Sequence, residues 1–115
     1  MWRKSRSRLT AKRQAHAPVF AALGDETRLS LVAKLCHGEP QSISQLTERS
    51  KVTRQAITKH LRVLEGAGIV RGMRRGRECR FALETKPLDE IREYLDVVSK
   101  QWDEALIRLK SFVEK

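Results

Sequence analysis

The chain has 115 residues, enough for one domain or one domain with a tail, and its 40% apolar content suffices for a single modest core. Its 24 Lys and Arg residues outnumber its 14 Asp and Glu residues, and the resulting net charge of +10 favours a polyanionic partner. The sequence has no run of about 18 apolar residues and no signal-peptide core after Met1, so we expect no transmembrane helix and a reducing cytoplasm. Two cysteines, Cys36 and Cys79, are too few for a disulfide framework and lack the spacing of a zinc ribbon.

The positive charge is concentrated in one part of the chain. Residues 1–87 carry 19 basic and 7 acidic side chains, whereas residues 88–115 carry 5 and 7. An acid-free N-terminal arm, residues 1–14, contains Arg3, Lys4, Arg6, Arg8, Lys12 and Arg13. We expect this arm to be disordered or loosely helical by itself, because it has little apolar surface to bury. Its composition fits a solvated tail, a phosphate-contacting arm or a mitochondrial transit peptide.

A short apolar helix is predicted over residues 15–23, with Val19 and Phe20 available for packing. Pro18 belongs in its first turn, because a proline there costs no hydrogen bond. Gly24 ends this helix.

A second helix is predicted from the N-cap Asp25 to Cys36 or His37. Its apolar residues recur at helical spacing, so we expect a central helix in which Cys36 is a small buried hydrophobe. The primary apolar set is Leu29, Val32, Ala33 and Cys36, and Leu31 and Leu35 widen it.

Two further helices are separated by a tight break. An extended link at residues 41–43 leads to Ser44, which we expect to cap a third helix of about two turns, ending at Arg49 or Ser50. After the break, Thr53 caps a fourth helix that reaches Glu65. Two strands follow, residues 69–74 and 77–83, and Arg75-Gly76 between them supplies the positive φ that a tight hairpin needs.

The last predicted element is one long helix, residues 87–115, with Pro87 at its first position. Its apolar positions follow steps of three and four, which indicates packing along another helix. At about 1.5 Å per residue, about 28 residues span roughly 42 Å, more than a domain this small covers, so we expect part of the stripe to meet a second copy. The apolar stripe comprises Leu88, Ile91, Leu95, Val98, Trp102, Ala105, Leu109 and Phe112.

The fourth helix has the pattern of a DNA-recognition helix. Ile57, Leu61 and Leu64 mark its buried face. The opposite face presents an amide, a hydroxyl and two cations, which can bond base edges and phosphates in a major groove. These side chains are Gln55, Thr58, Lys59 and Arg62, with Arg54 adding a cation in the first turn.

The hairpin after the fourth helix carries a cluster of arginines. Guanidinium groups crowded on one ribbon repel one another unless an anion lies between them, and a phosphate backbone or minor groove supplies that anion. The cluster is Arg74, Arg75, Arg77 and Arg80. The order of helix, short turn, helix and basic hairpin predicts a mainly α, α+β fold, the winged helix-turn-helix. We assign residues 1–14 to the basic arm, 15–86 to the DNA-binding domain and 87–115 to a dimerisation helix.

Three segments carry a family resemblance. The stretches "ALGDETRL", "TRQAITKHLRVLEGAGIV" and "RRGRECRF" are similar to those of the ArsR family of bacterial winged-helix transcriptional repressors, over about residues 15–115. The resemblance implies a cytoplasmic homodimer built from the first and last helices, an inverted-repeat operator, and release by an inducer that the sequence does not identify. It matches residues 53–62 to the recognition helix and residues 73–80 to the wing. Within these segments we expect the DNA contacts at Thr53, Arg54, Gln55, Thr58, Lys59, Arg62, Arg74, Arg75 and Arg77. From the apolar positions of the first and last helices we expect the dimer interface at Val19, Phe20, Leu88, Ile91, Leu95, Val98, Trp102 and Leu109.

Many members of that family sense metals, and this chain departs from both common metal-site patterns. The first helix of the helix-turn-helix lacks the Cys-x-Cys motif, and the last helix has no histidine. Because soft and borderline metals prefer thiolate and imidazole ligands, we expect no metal site and no cofactor. Cys79 lies between Arg77 and Arg80, and neighbouring cations favour the reactive thiolate, so a redox-switched repressor is one alternative.

The sequence contains no catalytic motif. Neither a Gly-rich phosphate loop nor a His-Glu-x-x-His or Gly-x-Ser-x-Gly pattern is present, so we expect a DNA-binding regulator and not an enzyme. The net charge alone also fits a non-specific architectural nucleic-acid-binding protein, which is the second alternative.

Overall fold

The computed structural model describes the backbone of residues 2–114 and the side chains of residues 8–114. Within these residues the chain forms five helices and three short strands. In order they are α1 (Trp2–Leu23), α2 (Glu26–Cys36), β1 (Gln41–Ser42), α3 (Ile43–Thr47), α4 (Arg54–Gly66), β2 (Val70–Arg75), β3 (Glu78–Leu83) and α5 (Thr85–Glu114). The strands form one antiparallel sheet in the order β1-β3-β2, which confirms a mainly helical fold with a small β-hairpin.

The first helix is longer than predicted. Because α1 begins at Trp2, the expectation of a helix that starts at Ala15 with Pro18 in its first turn is wrong. Pro18 lies inside α1, where it removes one backbone donor. The side chains of Arg3, Lys4 and Arg6 lie outside the described residues.

Packing against α5 explains why α1 continues past its proline. His16 and Phe20 lie on the opposite side of α1 from Pro18, which is exposed. Their rings lie against Tyr94 of α5, with centroid distances of 5.4 and 6.1 Å. Tilted aromatic pairs at this separation are favourable, and they anchor the helix on both sides of the proline.

The second helix begins as predicted but buries a different face. The Asp25 carboxylate accepts a hydrogen bond from the Arg28 amide at 3.0 Å, which confirms the N-cap. Leu31 and Leu35 are 1% and 4% exposed, whereas Leu29 is 53% exposed. Cys36 is also exposed, so the expectation that it is a buried hydrophobe is wrong.

The cause is that two apolar stripes overlap on α2, and helical periodicity alone does not choose between them. The side of α2 that meets α4 and β3 is the side of Leu31 and Leu35. Of the primary set predicted from spacing, Leu29, Ala33 and Cys36 therefore face outward, whereas Val32 is half-buried and packs against the core.

The N-cap of the third helix lies two residues before the predicted cap. Ser42, and not Ser44, is the N-cap of α3, and it forms a capping box with Gln45. The Ser42 hydroxyl accepts from the Gln45 amide at 3.2 Å, while the Gln45 side chain accepts from the Ser42 amide at 2.8 Å. The predicted extended link is a strand, because Gln41 and Ser42 pair with β3.

The turn between α3 and α4 contains an unusual backbone conformation. Glu48 has φ −57° and ψ 131°, and Arg49 follows with a positive φ of 62°. The amide of Ser50 donates to the carbonyl of Thr47 at 2.9 Å, which closes the turn. These values describe a type II turn, whose third residue favours glycine or asparagine and here is arginine.

The hairpin that follows α4 is confirmed, with a shift of its turn by one residue. Arg75 pairs with Glu78, so the two turn residues are Gly76 and Arg77, not Arg75 and Gly76. Gly76 has φ 60°, as the first residue of a type II′ turn requires. At the base of the hairpin, the Gly72 amide donates to the Glu65 carboxylate at 3.3 Å and thereby ties β2 to the end of α4.

The last helix starts at Thr85, so the expectation that Pro87 is its first residue is wrong by two positions. Pro87 still lies in the first turn, where backbone amides have no helical acceptor. The first half of α5 packs on α1, and the core of the domain lies beneath it. The most deeply buried side chains are Leu31, Leu46, Ile57, Leu61, Leu64, Ile69 and Val70.

Candidate nucleic-acid interface

The predicted recognition helix forms from local signals. The Thr53 hydroxyl accepts a hydrogen bond from the Ala56 amide at 3.1 Å and fixes the start of α4. Ile57, Leu61 and Leu64 are buried, as predicted. The side of α4 away from the core is therefore presented to solvent.

That outer side carries the predicted base-reading residues. The side chains of Gln55, Lys59 and Arg62 are exposed, and Thr58 is half-buried. The Thr58 hydroxyl donates to the carbonyl of Arg54 at 2.9 Å, so its proton is already used within the helix. Thr58 can still offer its methyl group and oxygen lone pairs, while the amide of Gln55 and the two cations are available as donors.

A groove lies between the start of α4 and the hairpin. Arg54 and Arg77 both line it, although 22 residues of chain separate them. Arg54 is the first residue of α4, and the N-terminus of a helix carries a partial positive charge. Glu78 also lines the groove, but its carboxylate pairs with Arg80, so the two guanidinium groups of the groove remain suited to a phosphate.

The other hairpin arginines have different surroundings. Arg75 lines a second groove, with Glu39, Met73 and Glu78. Arg80 pairs with the Glu78 carboxylate, with 3.4 Å between Nε and Oε1. Among the side chains that the structure describes, Arg74, Arg75 and Arg77 form no ion pair. These three residues therefore keep their charge available for an external anion.

Sequence reasoning did not find the polar contacts at the inner edge of α4. His60 Nδ1 lies 3.1 Å from Nη1 of Arg28, and 3.8 Å from the Asp25 carboxylate. The hydrogen bond from the Arg28 amide lowers the pKa of Asp25; burial opposes this, and the charge of Arg28 acts in the same direction as the hydrogen bond. The N-cap spacing could have revealed the Asp25–Arg28 contact, but no local signal places His60 beside them.

The predicted dimer residues fall into two groups. Val19, Ile91 and Val98 are buried by the chain itself, and Phe20 and Leu88 pack against the core. Leu95, Trp102 and Leu109 are 37%, 57% and 58% exposed. The stripe on α5 is thus mostly covered up to Val98, apart from Leu95, and open to solvent beyond it.

Neither cysteine is bonded, and Cys79 is half-buried in the groove that contains Arg54 and Arg77. Among residues 8–114, no three His, Cys, Asp or Glu side chains are placed to hold a metal ion. Over the part of the chain described, no helix has the length and apolar character needed to cross a membrane.

Comparison with known proteins gives matches of sequence and of fold. Residues 23–72 match a family described as a helix-turn-helix domain. The HTH-type transcriptional regulator YuzN of Bacillus subtilis (strain 168) is 37% identical, over 64% of this chain and 86% of that protein. The HTH-type transcriptional repressor SmtB of Mycobacterium tuberculosis is 28% identical, over 80% of this chain and 66% of that protein. A solved structure, an ArsR-like transcriptional regulator from Rhodococcus sp. RHA1, superimposes with a TM-score of 0.72 and 37% identity, over 89% of this chain and 95% of that chain.

Proposed function

This chain belongs to the ArsR family of winged helix-turn-helix transcriptional regulators, and we propose that it is a cytoplasmic repressor that binds an inverted-repeat operator as a homodimer. The observation that carries the proposal is the groove in which Arg54 of α4 and Arg77 of the hairpin lie together, beside the exposed side of the recognition helix. A helix with amide and cationic side chains fits a major groove, and an adjoining cationic hairpin fits the flanking phosphates or minor groove.

We assign separate roles to the two parts of this surface. Gln55, Lys59 and Arg62 read base edges, because they project from the exposed side of α4. Arg54 and the unpaired hairpin arginines bind phosphates, which supply affinity and fix the orientation of the protein on the duplex. These hairpin residues are Arg74, Arg75 and Arg77.

The exposed half of α5 supports pairing with a second copy. Trp102 and Leu109 continue the stripe whose first half packs within the chain, and an exposed apolar stripe of this length is uncommon on a monomer. A two-fold axis that relates the α5 helices of two copies would also relate their two recognition helices. Two-fold symmetry of the protein then matches an inverted repeat in the operator.

Competition binding tests the proposed function. Fragments of the source genome that the purified protein retains would be sequenced, and the best fragment would be measured against bulk DNA at several salt concentrations. We expect a preference of roughly 10³-fold or more for one inverted repeat. Equal affinity for all duplexes would overturn the proposal and favour a non-specific architectural protein.

The position of Cys79 supports a second candidate, a redox-switched repressor, because this thiol lines the same groove as Arg54 and Arg77. Oxidation would place a bulkier, more polar group where we propose that a phosphate binds. Loss of operator affinity after peroxide treatment in the wild type, but not in Cys79→Ser, would support this switch. Unchanged affinity after oxidation would exclude it.

A further inference from the structure

Arg28, in the first turn of α2, makes contacts with three separate parts of the chain. Its backbone amide donates to the Asp25 carboxylate at 3.0 Å, and its Nε donates to the carbonyl of Ala22, near the end of α1, at 2.6 Å. Its Nη1 lies 3.1 Å from Nδ1 of His60, on α4. One side chain therefore joins the helix that packs on α5 to the helix that carries the base-reading residues.

A hydrogen bond between Arg28 and Nδ1 of His60 requires one particular tautomer of the histidine. A guanidinium group has only donors, so Nδ1 of His60 must accept the hydrogen bond from Arg28. The imidazole is then neutral and carries its proton on Nε2. The Asp25 oxygen, at 3.8 Å from Nδ1, is too distant to compete for a hydrogen bond. Asp25 and Arg28 are the charged groups that face this imidazole from α2 and its cap.

The position of His60 at the edge of α4 determines how its contact with Arg28 affects the helix. His60 lies between Lys59 on the exposed side of α4 and Leu61 on the buried side. Apolar contacts of Ile57, Leu61 and Leu64 hold α4 against the body, but they are non-directional and resist rotation of the helix weakly. A hydrogen bond at the edge of the helix is directional, and it fixes which residues α4 turns toward a ligand.

We propose that Arg28 and His60 are positioning residues that set the rotation of α4 relative to α1, and thereby the base preference of the protein. We call this pair the Arg28–His60 link. Neither residue belongs to the set assigned to DNA contact, so the link acts through the placement of Gln55 and Arg62. This inference rests on the proposed function, because operator preference is one of its readouts.

Substitution of each partner tests the link. His60→Leu removes the acceptor, and Arg28→Lys cannot reach Ala22 and His60 together. We expect each variant to lower the ratio of operator to bulk-DNA affinity about ten-fold or more, with bulk-DNA affinity unchanged. His60→Asn places an amide oxygen near the position of Nδ1, so it should restore the ratio. His37→Leu makes the same change at an exposed histidine outside the link and should leave the ratio unchanged.

Rescue by His60→Asn separates this role from a general packing role. Asparagine is smaller than histidine and packs differently, but it keeps an acceptor for Arg28. An operator ratio in His60→Asn as low as that in His60→Leu would indicate a packing role alone and would overturn the proposal.

Nitrogen-15 NMR of the imidazole in the DNA-free protein tests the link independently of any operator. We expect an unprotonated Nδ1 and a protonated Nε2 at neutral pH, with a change of the Nδ1 signal in Arg28→Lys. A protonated Nδ1 would overturn the link even if operator binding is confirmed. If the wild type instead showed no operator preference, the proposed function would fail, and this measurement would still decide whether the link exists.

Discussion

Among single residues, Arg49 most clearly has a backbone conformation that its residue type disfavours. The third position of a type II turn needs a positive φ, and Arg49 occupies it with φ 62°. For a residue with a β-carbon, this conformation costs on the order of 1 kcal/mol or more. The arginine side chain is exposed, so no burial within the chain offsets that cost.

We therefore expect Arg49→Gly to raise the free energy of unfolding by about 0.5–1 kcal/mol, after allowing for the greater freedom of glycine in the unfolded chain. Urea denaturation followed by circular dichroism would measure the change. Arg49→Ala is the matched control, because it removes the guanidinium group but keeps the β-carbon. Equal stability of the two variants would show that the turn is not strained.

At the same scale, the contacts that the sequence predicts correctly lie within one turn of the chain. Asp25 and Thr53 were predicted as N-caps because an N-cap bonds an amide two or three residues away. Ser42 was missed in favour of Ser44, since two serines so close together both satisfy the composition rule. The contact of Arg28 with His60 joins residues 32 apart and depends on how α2 packs on α4. Nothing in the local sequence specifies that packing.

At the scale of elements, α4 and the hairpin form one surface but should differ in what they contribute to binding. Arg62 projects from α4, whereas Arg77 lies in the turn of the hairpin. A side chain in the major groove distinguishes bases, while one on the phosphates does not.

We expect Arg62→Ala to change base preference at one or two operator positions, at a cost of about 1–3 kcal/mol for the preferred base. Arg77→Ala should weaken binding to all sequences alike and lower the slope of log affinity against log salt by about one. Binding to a panel of single-base operator variants at several salt concentrations measures both effects. A uniform loss in Arg62→Ala would contradict the base-reading role of α4.

The existence and order of the elements were predictable, whereas their exact faces and lengths were not. The recognition helix has one apolar stripe and one cap, so its start and its buried face are confirmed, and its end lies one residue beyond the predicted Glu65. Two apolar stripes on α2 left its buried face undetermined, and packing of α4 and β3 selected Leu31 and Leu35. The continuation of α1 past Pro18 is supported by contacts of His16 and Phe20 with Tyr94 on α5, which composition does not reveal.

At the scale of the whole molecule, the second half of α5 extends beyond the body. The chain measures 63 Å along its longest axis and 32 and 22 Å along the others. Trp102, Leu106 and Leu109 are exposed on this half and continue the buried stripe. The amount of apolar surface and its position support a symmetric contact between two copies.

Trp102→Glu should convert a dimer into a monomer, because it places a charge in the middle of the proposed contact. Sedimentation velocity over a range of concentrations measures the change. Ile107→Glu is the matched control: Ile107 is equally apolar and exposed, but it lies on the polar side of α5 with Lys110 and Glu114. A Trp102→Glu protein that remains dimeric would refute pairing through the stripe.

The exposed second half of α5, through which we propose that two copies pair, also makes repression depend on the concentration of the protein in the cell. If only dimers bind the operator and most chains are monomers, the concentration of dimers grows as the square of the total protein concentration. Doubling synthesis would then raise the concentration of dimers about four-fold, and the occupancy of a mostly empty operator by the same factor, until dimers predominate or the operator is saturated. Dilution by cell growth, or degradation of the protein, would relieve repression with the same square dependence on protein concentration.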